Sequence, residues 1–363
     1  MRSILLICGL LITQLGFSQS EITDTTVSRP SVSGLYLSLD SELNTNVYES
    51  FVDGGLQTAR LGYGITNRVM VGARISSRFN YFSGDANFEA NESFLFARYY
   101  FLLRQRTRMF AEVGIGTDKV FGERLTTYNL AVGLERQLAP GIVATGLLLY
   151  NRIESVQYVF DLTFGFATYL NQLSTLDREA GFERGTFILN QNWGTISSTQ
   201  QIVDPQTISQ QFLVINFNPR VGYFVSDHLL AEVGISANFS QDKNDSRVPI
   251  SVHYTGKSIG GSAGLRYLPF PRARFAPYIG GEFGFEATEE TDGDIFGRGS
   301  STKSTFSTNY VAASLGVMHR LSKHLSIDLN GQYVSAQASR VSPRYEVVRL
   351  SLGLRALLVR GRK

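Results

Sequence analysis

The sequence predicts an all-β protein, a transmembrane antiparallel β-barrel. Apolar and polar residues alternate almost continuously from Gly34 to Leu358, in segments about as long as a membrane-crossing strand. Beyond the N-terminus no run of 18 apolar residues occurs, which excludes a membrane-spanning helix. The 35 glycines, 25 phenylalanines and 17 tyrosines are also typical of a membrane barrel.

The N-terminal residues predict a secretory signal peptide over residues 1–18. Arg2 precedes an apolar stretch from Ile4 to Leu15, and the small residues Gly16 and Ser18 follow at the expected cleavage site. Cys8, the only cysteine, lies inside the apolar stretch, so the mature chain is expected to contain none. Without Arg2 the chain has 33 basic and 31 acidic residues. This balance offers no electrostatic footprint for nucleic acid.

The same series of strands occurs twice, in the same order. RLGYGITNRVM at Arg60 to Met70 matches RVGYFVSDHLL at Arg220 to Leu230, and VFDLTFGFATYL at Val159 to Leu170 matches VVRLSLGLRALL at Val347 to Leu358. Each copy contains about eight alternating segments. We therefore expect a first barrel unit over residues 19–170, a periplasmic linker over 171–184 and a second barrel unit over 185–363.

Alternation assigns each side chain to lipid or to the interior. Val69, Val71, Ala73, Ile75 and Phe79 share one face, while Arg74 and Arg78 lie on the other. A slip of one residue would place both arginines in hydrocarbon at about 2 to 4 kcal/mol each, so the register is well determined. One strand departs from the pattern, since Val143, Leu147 and Leu149 would face the interior.

Connections alternate in length. Short turns are predicted at Thr66 to Arg68, Pro269 to Arg274 and similar sites, and longer polar connections near Ser83 to Glu92, Ser240 to Arg247 and Thr288 to Ser304. Outer-membrane barrels have short periplasmic turns and long external loops. Two tandem eight-stranded barrels are the favoured architecture. A single sixteen-stranded barrel remains the alternative, because alternation has the same parity in both.

Both copies resemble the small eight-stranded outer-membrane barrels of the OmpA and OmpX type. The resemblance is carried by the opening strand Gly185 to Leu189, the NPRVGYFVSDHLL segment from Asn218, the ARYY and LRY segments, and the last strands around Gly165 and Gly353. It implies the barrel fold over nearly all of the mature chain. The chain departs from the family in ending LRALLVRGRK without a terminal aromatic residue, and we expect no peptidoglycan-binding domain after the second barrel.

Charged residues on inward positions are the candidate site, expected to form a structural network of ion pairs because buried charges need partners. Arg60 and Arg98 match Arg220 and Arg266 in the second copy. The full set is Arg60, Arg74, Arg78, Arg98, Glu112, Glu135, Asp161, Arg220, Glu232, Arg266, Glu282, Asp328 and Arg349. Ion selectivity or ligand capture by these residues is the alternative hypothesis.

No catalytic, cofactor or metal site is predicted. GGSAG around Ser262 resembles a nucleophile elbow, but a strand rather than a strand-to-helix turn is expected there. The four histidines lack metal-ligand spacing. Seven tyrosines are assigned to interfacial aromatic belts: Tyr63, Tyr99, Tyr150, Tyr169, Tyr223, Tyr267 and Tyr333.

These observations predict a non-enzymatic integral protein of a Gram-negative outer membrane, with a structural or surface-binding role through its external loops. The alternative function is a pore-forming transporter with one sixteen-stranded barrel. Expected partners are outer-membrane lipids, the barrel assembly machinery and an extracellular ligand whose identity the sequence does not define.

Overall fold

The computed structural model describes residues 32, 34–39, 43–47, 51–82, 85–104, 106–120, 123–154, 157–173, 182–190, 192–204, 208–246, 253–292, 302–339 and 345–359. The predicted signal peptide and most of the predicted linker lie outside these ranges. No described helix is both long and apolar enough to cross a membrane.

Strands form nearly all of the described chain. The N-terminal half, here labelled the first copy after the sequence expectation, contains β1 (Gly34–Leu39), β2 (Leu43–Val47), β3 (Phe51–Gly64), β4 (Val69–Phe82), β5 (Asp85–Leu103), β6 (Thr107–Val120), β7 (Glu123–Ala139), β8 (Ile142–Ile153) and β9 (Gln157–Tyr169). A 3-10 turn at Leu170–Gln172 follows. The second copy contains β10 (Phe187–Asn190), β11 (Asn192–Asp204), β12 (Ile208–Phe217), β13 (Arg220–Ser226), β14 (Leu229–Ser246), β15 (His253–Tyr267), β16 (Phe275–Asp292), β17 (Thr302–Arg320), β18 (Leu325–Ala338) and β19 (Tyr345–Leu358).

Several strands extend into segments predicted to be polar connections. The expected connection from Ser83 to Glu92 is largely strand, since β5 begins at Asp85, and β14 continues to Ser246 through another such segment. Main-chain pairing supplies the hydrogen bonds of a ladder whatever the polarity of its side chains. Polar composition therefore marks where the wall leaves the apolar band, and the strands continue past that point.

At one end of the molecule, here called the tight-turn end, each copy closes on itself. β1 pairs with β3 and with the last residues of β9, which closes a ring of eight strands, the first ring. β10 pairs with β13 and with the last residues of β19, which closes the second ring. Turns such as 65–68 and 321–324 connect the strands at this end.

At the opposite end, here called the loop end, the two copies share one wall. β2 pairs with β3 and with β19 of the second copy. β11 pairs with β12 and with β9 of the first copy. The strands that close each ring at the tight-turn end thus change partner towards the loop end. The result is a continuous joined wall of sixteen strands.

Outward apolar side chains of the two rings pack against each other near the tight-turn end. This seam contains Leu37, Ile142 and Phe166 of the first copy and Leu189, Leu325, Leu354 and Ala356 of the second. Leu354 is only 4% exposed, whereas Leu350, on the same face of β19 but nearer the loop end, is 49% exposed. Protein contact replaces lipid contact where the rings run side by side.

The remaining outward face presents apolar and aromatic side chains to lipid. Leu61, Leu95, Val113 and Leu130 are each more than half exposed. Five of the seven tyrosines predicted for the aromatic belts are likewise exposed, namely Tyr63, Tyr99, Tyr223, Tyr267 and Tyr333. The assignment of Tyr169 to a belt is wrong, because its side chain is fully buried inside the first ring. Tyr169 has the same parity as Thr163 and Gly165, which face the interior.

The change of partner can be tested with paired cysteines, since the only natural cysteine is Cys8. Thr163 of β9 lies directly opposite Thr195 of β11, and cross-strand neighbours have Cβ atoms about 4.5 to 5.5 Å apart. We expect Thr163→Cys combined with Thr195→Cys to form an intramolecular disulfide in folded protein, detected as a mobility shift that reductant reverses.

The matched control combines Thr195→Cys with Ser351→Cys, because β11 would lie beside β19 if the two copies formed separate barrels throughout, and Ser351 is the inward counterpart of Thr163 on that strand. We expect this second pair to remain reduced. Crosslinking of the control pair in place of the first would contradict the joined wall.

Candidate functional site

The interior of the first ring contains a buried arginine bound by two carboxylates. Arg98 of β5 donates from Nε and Nη2 to Glu112 Oε2 of β6, at 3.0 and 2.8 Å. Its Nη1 donates to Glu135 Oε1 of β7 at 2.9 Å. All three side chains are at most 2% exposed, so each charge depends on the others for stabilisation.

Two tyrosines complete the hydrogen bonding of Glu135. The hydroxyl of Tyr100 donates to Oε1 at 3.0 Å, and that of Tyr169 donates to Oε2 at 2.8 Å. The two hydroxyl groups also lie 2.8 Å apart. Because β5, β7 and β9 supply these groups, the network ties together strands on different sides of the ring.

Aromatic and aliphatic side chains fill the space around the network. The guanidinium of Arg98 lies 3.8 Å from the centroid of the Phe110 ring and 4.9 Å from that of Tyr36. Val143, Leu147 and Leu149 of β8 belong to the same buried cluster. Their inward direction is explained by this cluster, because apolar side chains pack against aromatic rings and exclude water from the ion pairs.

Three further arginines extend the network along the ring. Arg60 Nη1 donates to Glu112 Oε1 at 2.8 Å, and Arg108 Nη1 lies 3.9 Å from Glu135 Oε2. Arg74 lies 3.4 Å from Glu92, with its guanidinium 4.2 Å from the centroid of the Phe94 ring. The first ring is therefore filled with paired charges from the tight-turn end to the start of the joined wall.

The second ring contains a similar network centred on Asp328 of β18. Arg266 Nη1 donates to Asp328 Oδ2 at 2.8 Å, Arg355 Nε donates to the same oxygen at 3.2 Å, and Tyr278 donates to Oδ1 at 2.8 Å. Arg266 also forms an ion pair with Glu232 of β14. Phe224, Met318 and Leu230 pack beside Tyr278 on the tight-turn side.

Nearer the joined wall, Arg220 forms a bidentate ion pair with Glu282. Nη1 and Nη2 donate to the two carboxylate oxygens at 2.7 and 2.9 Å, and Tyr310 donates to Oε1 at 2.9 Å. The side chain of Arg220 is 23% exposed, whereas its first-copy counterpart Arg60 is 2% exposed. Close to the joined wall, the interior side chains of the second ring are therefore more exposed than those of the first ring.

The structure brings together nine of the candidate residues in these two networks. A tenth candidate, Arg74, lies at the edge of the first network. Those nine are Arg60, Arg98, Glu112, Glu135, Arg220, Glu232, Arg266, Glu282 and Asp328. Asp161 lies on β9 opposite Ser197 and Arg349 lies on β19 opposite Asn46, both in the joined wall. Arg78 lies on β4 opposite Gly55, in a part of the wall where side chains are not described.

Residues that the sequence analysis missed supply much of the filling. Arg108, Arg355, Tyr100 and Tyr278 all contribute to the networks. Parity contained the signal for Arg355, because it lies two residues after the inward Gly353. The arginine that starts the network comes from the same strand position in both copies, but its acidic partners come from different strands.

These clusters pair the buried charges of each ring and contain no recognisable catalytic or metal-binding arrangement among the described residues. Ser262 lies within β15, which continues without interruption on both sides, so no strand-to-helix turn presents it. Within the described ranges, no three histidine, cysteine or acidic side chains are grouped as a metal site would require. His228 and His324 lie at turns and hydrogen-bond with the carbonyls of Leu268 and Leu357 at 2.9 and 3.0 Å.

A family model described as outer membrane protein beta-barrel domain matches residues 173–355, just over half of the chain. The chain belongs to this outer-membrane β-barrel family. The matched residues run from the segment before β10 to Arg355 of β19. No curated protein is similar in sequence.

Several solved outer-membrane proteins have a low similarity to this chain. OprG from Pseudomonas aeruginosa is 17% identical over 49% of this chain and 97% of its own, with a TM-score of 0.28. OprD from Pseudomonas aeruginosa is 11% identical over 92% of this chain and 98% of its own, with a TM-score of 0.35. OmpT of Vibrio cholerae is 10% identical over 89% and 96%, with a TM-score of 0.33.

Removing the central arginine of either network should destabilise the barrel. Arg98→Leu leaves Glu112 and Glu135 buried beside each other without their shared cation, which costs about 3 to 5 kcal/mol in comparable buried pairs. Arg266→Leu should act in the same way on Glu232 and Asp328. We expect both variants to lose the heat-modifiable folded band on gels at lower temperature and lower urea concentration than the unsubstituted protein.

Arg104→Leu is the matched control, because Arg104 is exposed beside the turn that follows β5 and its loss should leave the transition nearly unchanged. Unchanged transitions in the Arg98 and Arg266 variants would count against the paired-charge networks.

Proposed function

We propose that this outer-membrane protein is a non-enzymatic, non-conducting barrel that displays a wide polar chamber at the cell surface. In this proposal the two copies are duplicated eight-stranded barrels of the OmpA and OmpX type. Each is complete at the tight-turn end, and the two are fused into one wall towards the loop end. The observation that carries the proposal is the filling of each ring by buried ion pairs and aromatic side chains.

Eight strands enclose just enough room for side chains, so a ring of this size is closed once it is filled. Large buried side chains fill both rings. Arg98, Tyr100 and Phe110 occupy the first, and Phe224 and Tyr278 occupy the second. This filling supports a floor that blocks passage of solutes between the two ends of the molecule.

The joined wall supports a binding role above that floor. By parity with Glu232 and Glu282, the inward positions of β14 to β17 carry mostly hydroxyl, amide and carboxylate groups, including Asn238, Ser240, Ser258, Glu286 and Thr308. A sixteen-stranded wall has a wide interior, whereas each ring does not. We propose that the tight-turn end faces the periplasm, as short turns do in this class, so that the chamber opens outward.

A pore-forming transporter is the second candidate, favoured by the sixteen strands of the joined wall. It would require a water-filled path past the floor of at least one ring. The second ring is the better candidate for such a path, because the Arg220 and Glu282 side chains are partly exposed. In both candidates the protein inserts through the barrel assembly machinery into a Gram-negative outer membrane.

Single-channel recording distinguishes the two candidates. Residues 19–363, refolded in detergent and shown to be folded by heat modifiability, should give no stable openings in a planar bilayer. Large, uniform openings would contradict the proposal and support the transporter.

Variants of the side chains that fill the second ring test whether this filling is the cause of the absent conductance. Phe224→Ala combined with Met318→Ala removes apolar filling from the second ring without leaving an unpaired charge. The cavity, which lies beside the polar groups of Tyr278 and Asp328, should admit water and give small openings. Phe270→Ala, at an exposed position near the same end, should remain silent. A silent double variant that is folded would count against these side chains as the barrier.

A further inference from the structure

The outer face of β7, β8 and β9 contains a groove near the loop end that combines aromatic rings with positive charge. Tyr128, Leu130, Tyr150, Arg152 and Glu154 line this groove, which has a volume of about 560 Å³. Its position is on the lipid-facing side of the wall, because Tyr128 and Leu130 are 53% and 57% exposed and share the parity of the outward Val132.

The sequence of β7 gives the height of the groove in the membrane. Arg136 and Arg124 lie on the outward face of this strand, twelve positions apart, with Leu134, Val132 and Leu130 between them. At about 3.3 Å per residue and a tilt of about 40°, twelve residues span roughly 30 Å of height, the thickness of the hydrocarbon layer. Arg124 therefore lies at the lipid headgroups on the loop-end side, with the groove just below it.

Arg152 is placed between aromatic rings in this groove. It lies opposite Tyr128 on one side and Tyr158 on the other, and its guanidinium is 5.9 Å from the centroid of the Tyr158 ring. Tyr150 in turn stacks near Tyr158 at 6.4 Å and Phe160 at 4.9 Å. Aromatic residues at this height are suited to the boundary between acyl chains and headgroups.

The backbone next to Arg152 fixes its direction. Arg152 Nε donates to the carbonyl of Glu154 at 3.2 Å, a bond that occupies one of five guanidinium N–H donors. Glu154 has a φ of 41°, the only positive value among the described residues other than glycine. Its carboxylate accepts the Thr126 N–H at 3.0 Å at the rim. The acid is thereby engaged by the backbone beside the groove.

Additional positive charge lies directly above. Lys119 of β6 and Arg124 of β7 are outward and directly opposite each other. Arg124 also donates from Nη1 to Thr117 Oγ1 at 3.4 Å, which holds its guanidinium beside β6. An anionic group that lies near Arg124, Lys119 and Arg152 is attracted by all three positive charges. The planar guanidinium of an arginine that is partly removed from water is well suited to bind phosphate, and tyrosine hydroxyl groups provide further donors.

We propose that this groove binds the phosphorylated headgroup of the glycolipid that forms the outer leaflet of the outer membrane. Arg152 and Arg124 contact phosphate, Lys119 contributes charge, and Tyr128, Tyr150 and Tyr158 pack against the sugar and the start of the acyl chains. The site rests on the membrane orientation used in the proposed function. It does not depend on whether the barrel conducts.

Native mass spectrometry of the full mature chain in detergent tests the site, with purified lipid A carrying both phosphates as the probe. We expect a lipid adduct whose apparent affinity falls at least about tenfold when Arg124→Gln and Arg152→Gln are combined, because charge-assisted bonds to phosphate are lost. The apparent affinity of the unsubstituted protein for lipid A without phosphates should be lower by a comparable factor.

Lys303→Gln is the matched control, since Lys303 is an exposed outward cation near the loop end of the second copy, and it should retain the affinity.

Heat modifiability of each variant establishes that it is folded. Equal binding of dephosphorylated lipid A, or unchanged binding by the double variant, would overturn the site. Equal competition by phosphatidylglycerol would overturn the assignment to the glycolipid. An unfolded double variant would be replaced by Arg152→Gln alone, judged by the same criterion. These outcomes do not depend on whether the protein conducts ions in the bilayer recordings.

Discussion

The rest of the structure depends on buried guanidinium groups that must be paired inside rings of eight strands. Arg98 and Arg266 are 2% and 3% exposed, and removing such charges from water is costly unless carboxylates and hydroxyl groups surround them. The required partners come from several strands of each ring. Pairing therefore holds strands together across the interior and also fills the space that an open channel would need.

The two networks satisfy this constraint in different ways. In the first ring the acids are on β6 and β7, and two tyrosines share Glu135. In the second ring they are on β14 and β18, and Arg355 adds a second cation to Asp328. The two rings share an arginine at the same strand position but differ in its partners, since any inward position near the guanidinium can supply the compensating charge. The seam lets two such rings stand side by side, and the change of strand partner joins them above it.

Much of this architecture could be predicted from alternation alone. Strand positions, the lipid-facing residues and the inward placement of Arg60, Arg98, Glu112 and Asp328 all follow from a period of two. Val143 and Leu149 were placed correctly but could not be explained, because an inward apolar residue has meaning only beside the aromatic rings that it contacts. Tyr169 shows the limit of residue type, because a tyrosine near a strand end predicts a belt position whereas its parity predicts the interior.

The pairing between the copies could not be predicted in the same way. β9 has the same alternation whether its neighbour is β1 or β11, and the structure uses both, at different heights. Polar composition was also misleading about strand ends, because a ladder continues after its outward face has left the lipid. These features depend on which strands meet in three dimensions, and residue patterns along one strand carry no information on that choice.

A double-mutant cycle on Arg266 and Asp328 tests the central claim most directly. The free energies of unfolding would be measured in urea for Arg266→Leu, Asp328→Leu and the combined variant. The account predicts that each single variant is strongly destabilised and that the pair is coupled by more than about 2 kcal/mol, since each single variant leaves a net buried charge in this network and the double variant does not. Additive effects, with a coupling near zero, would contradict the claim that mutual neutralisation of these charges closes and stabilises each ring.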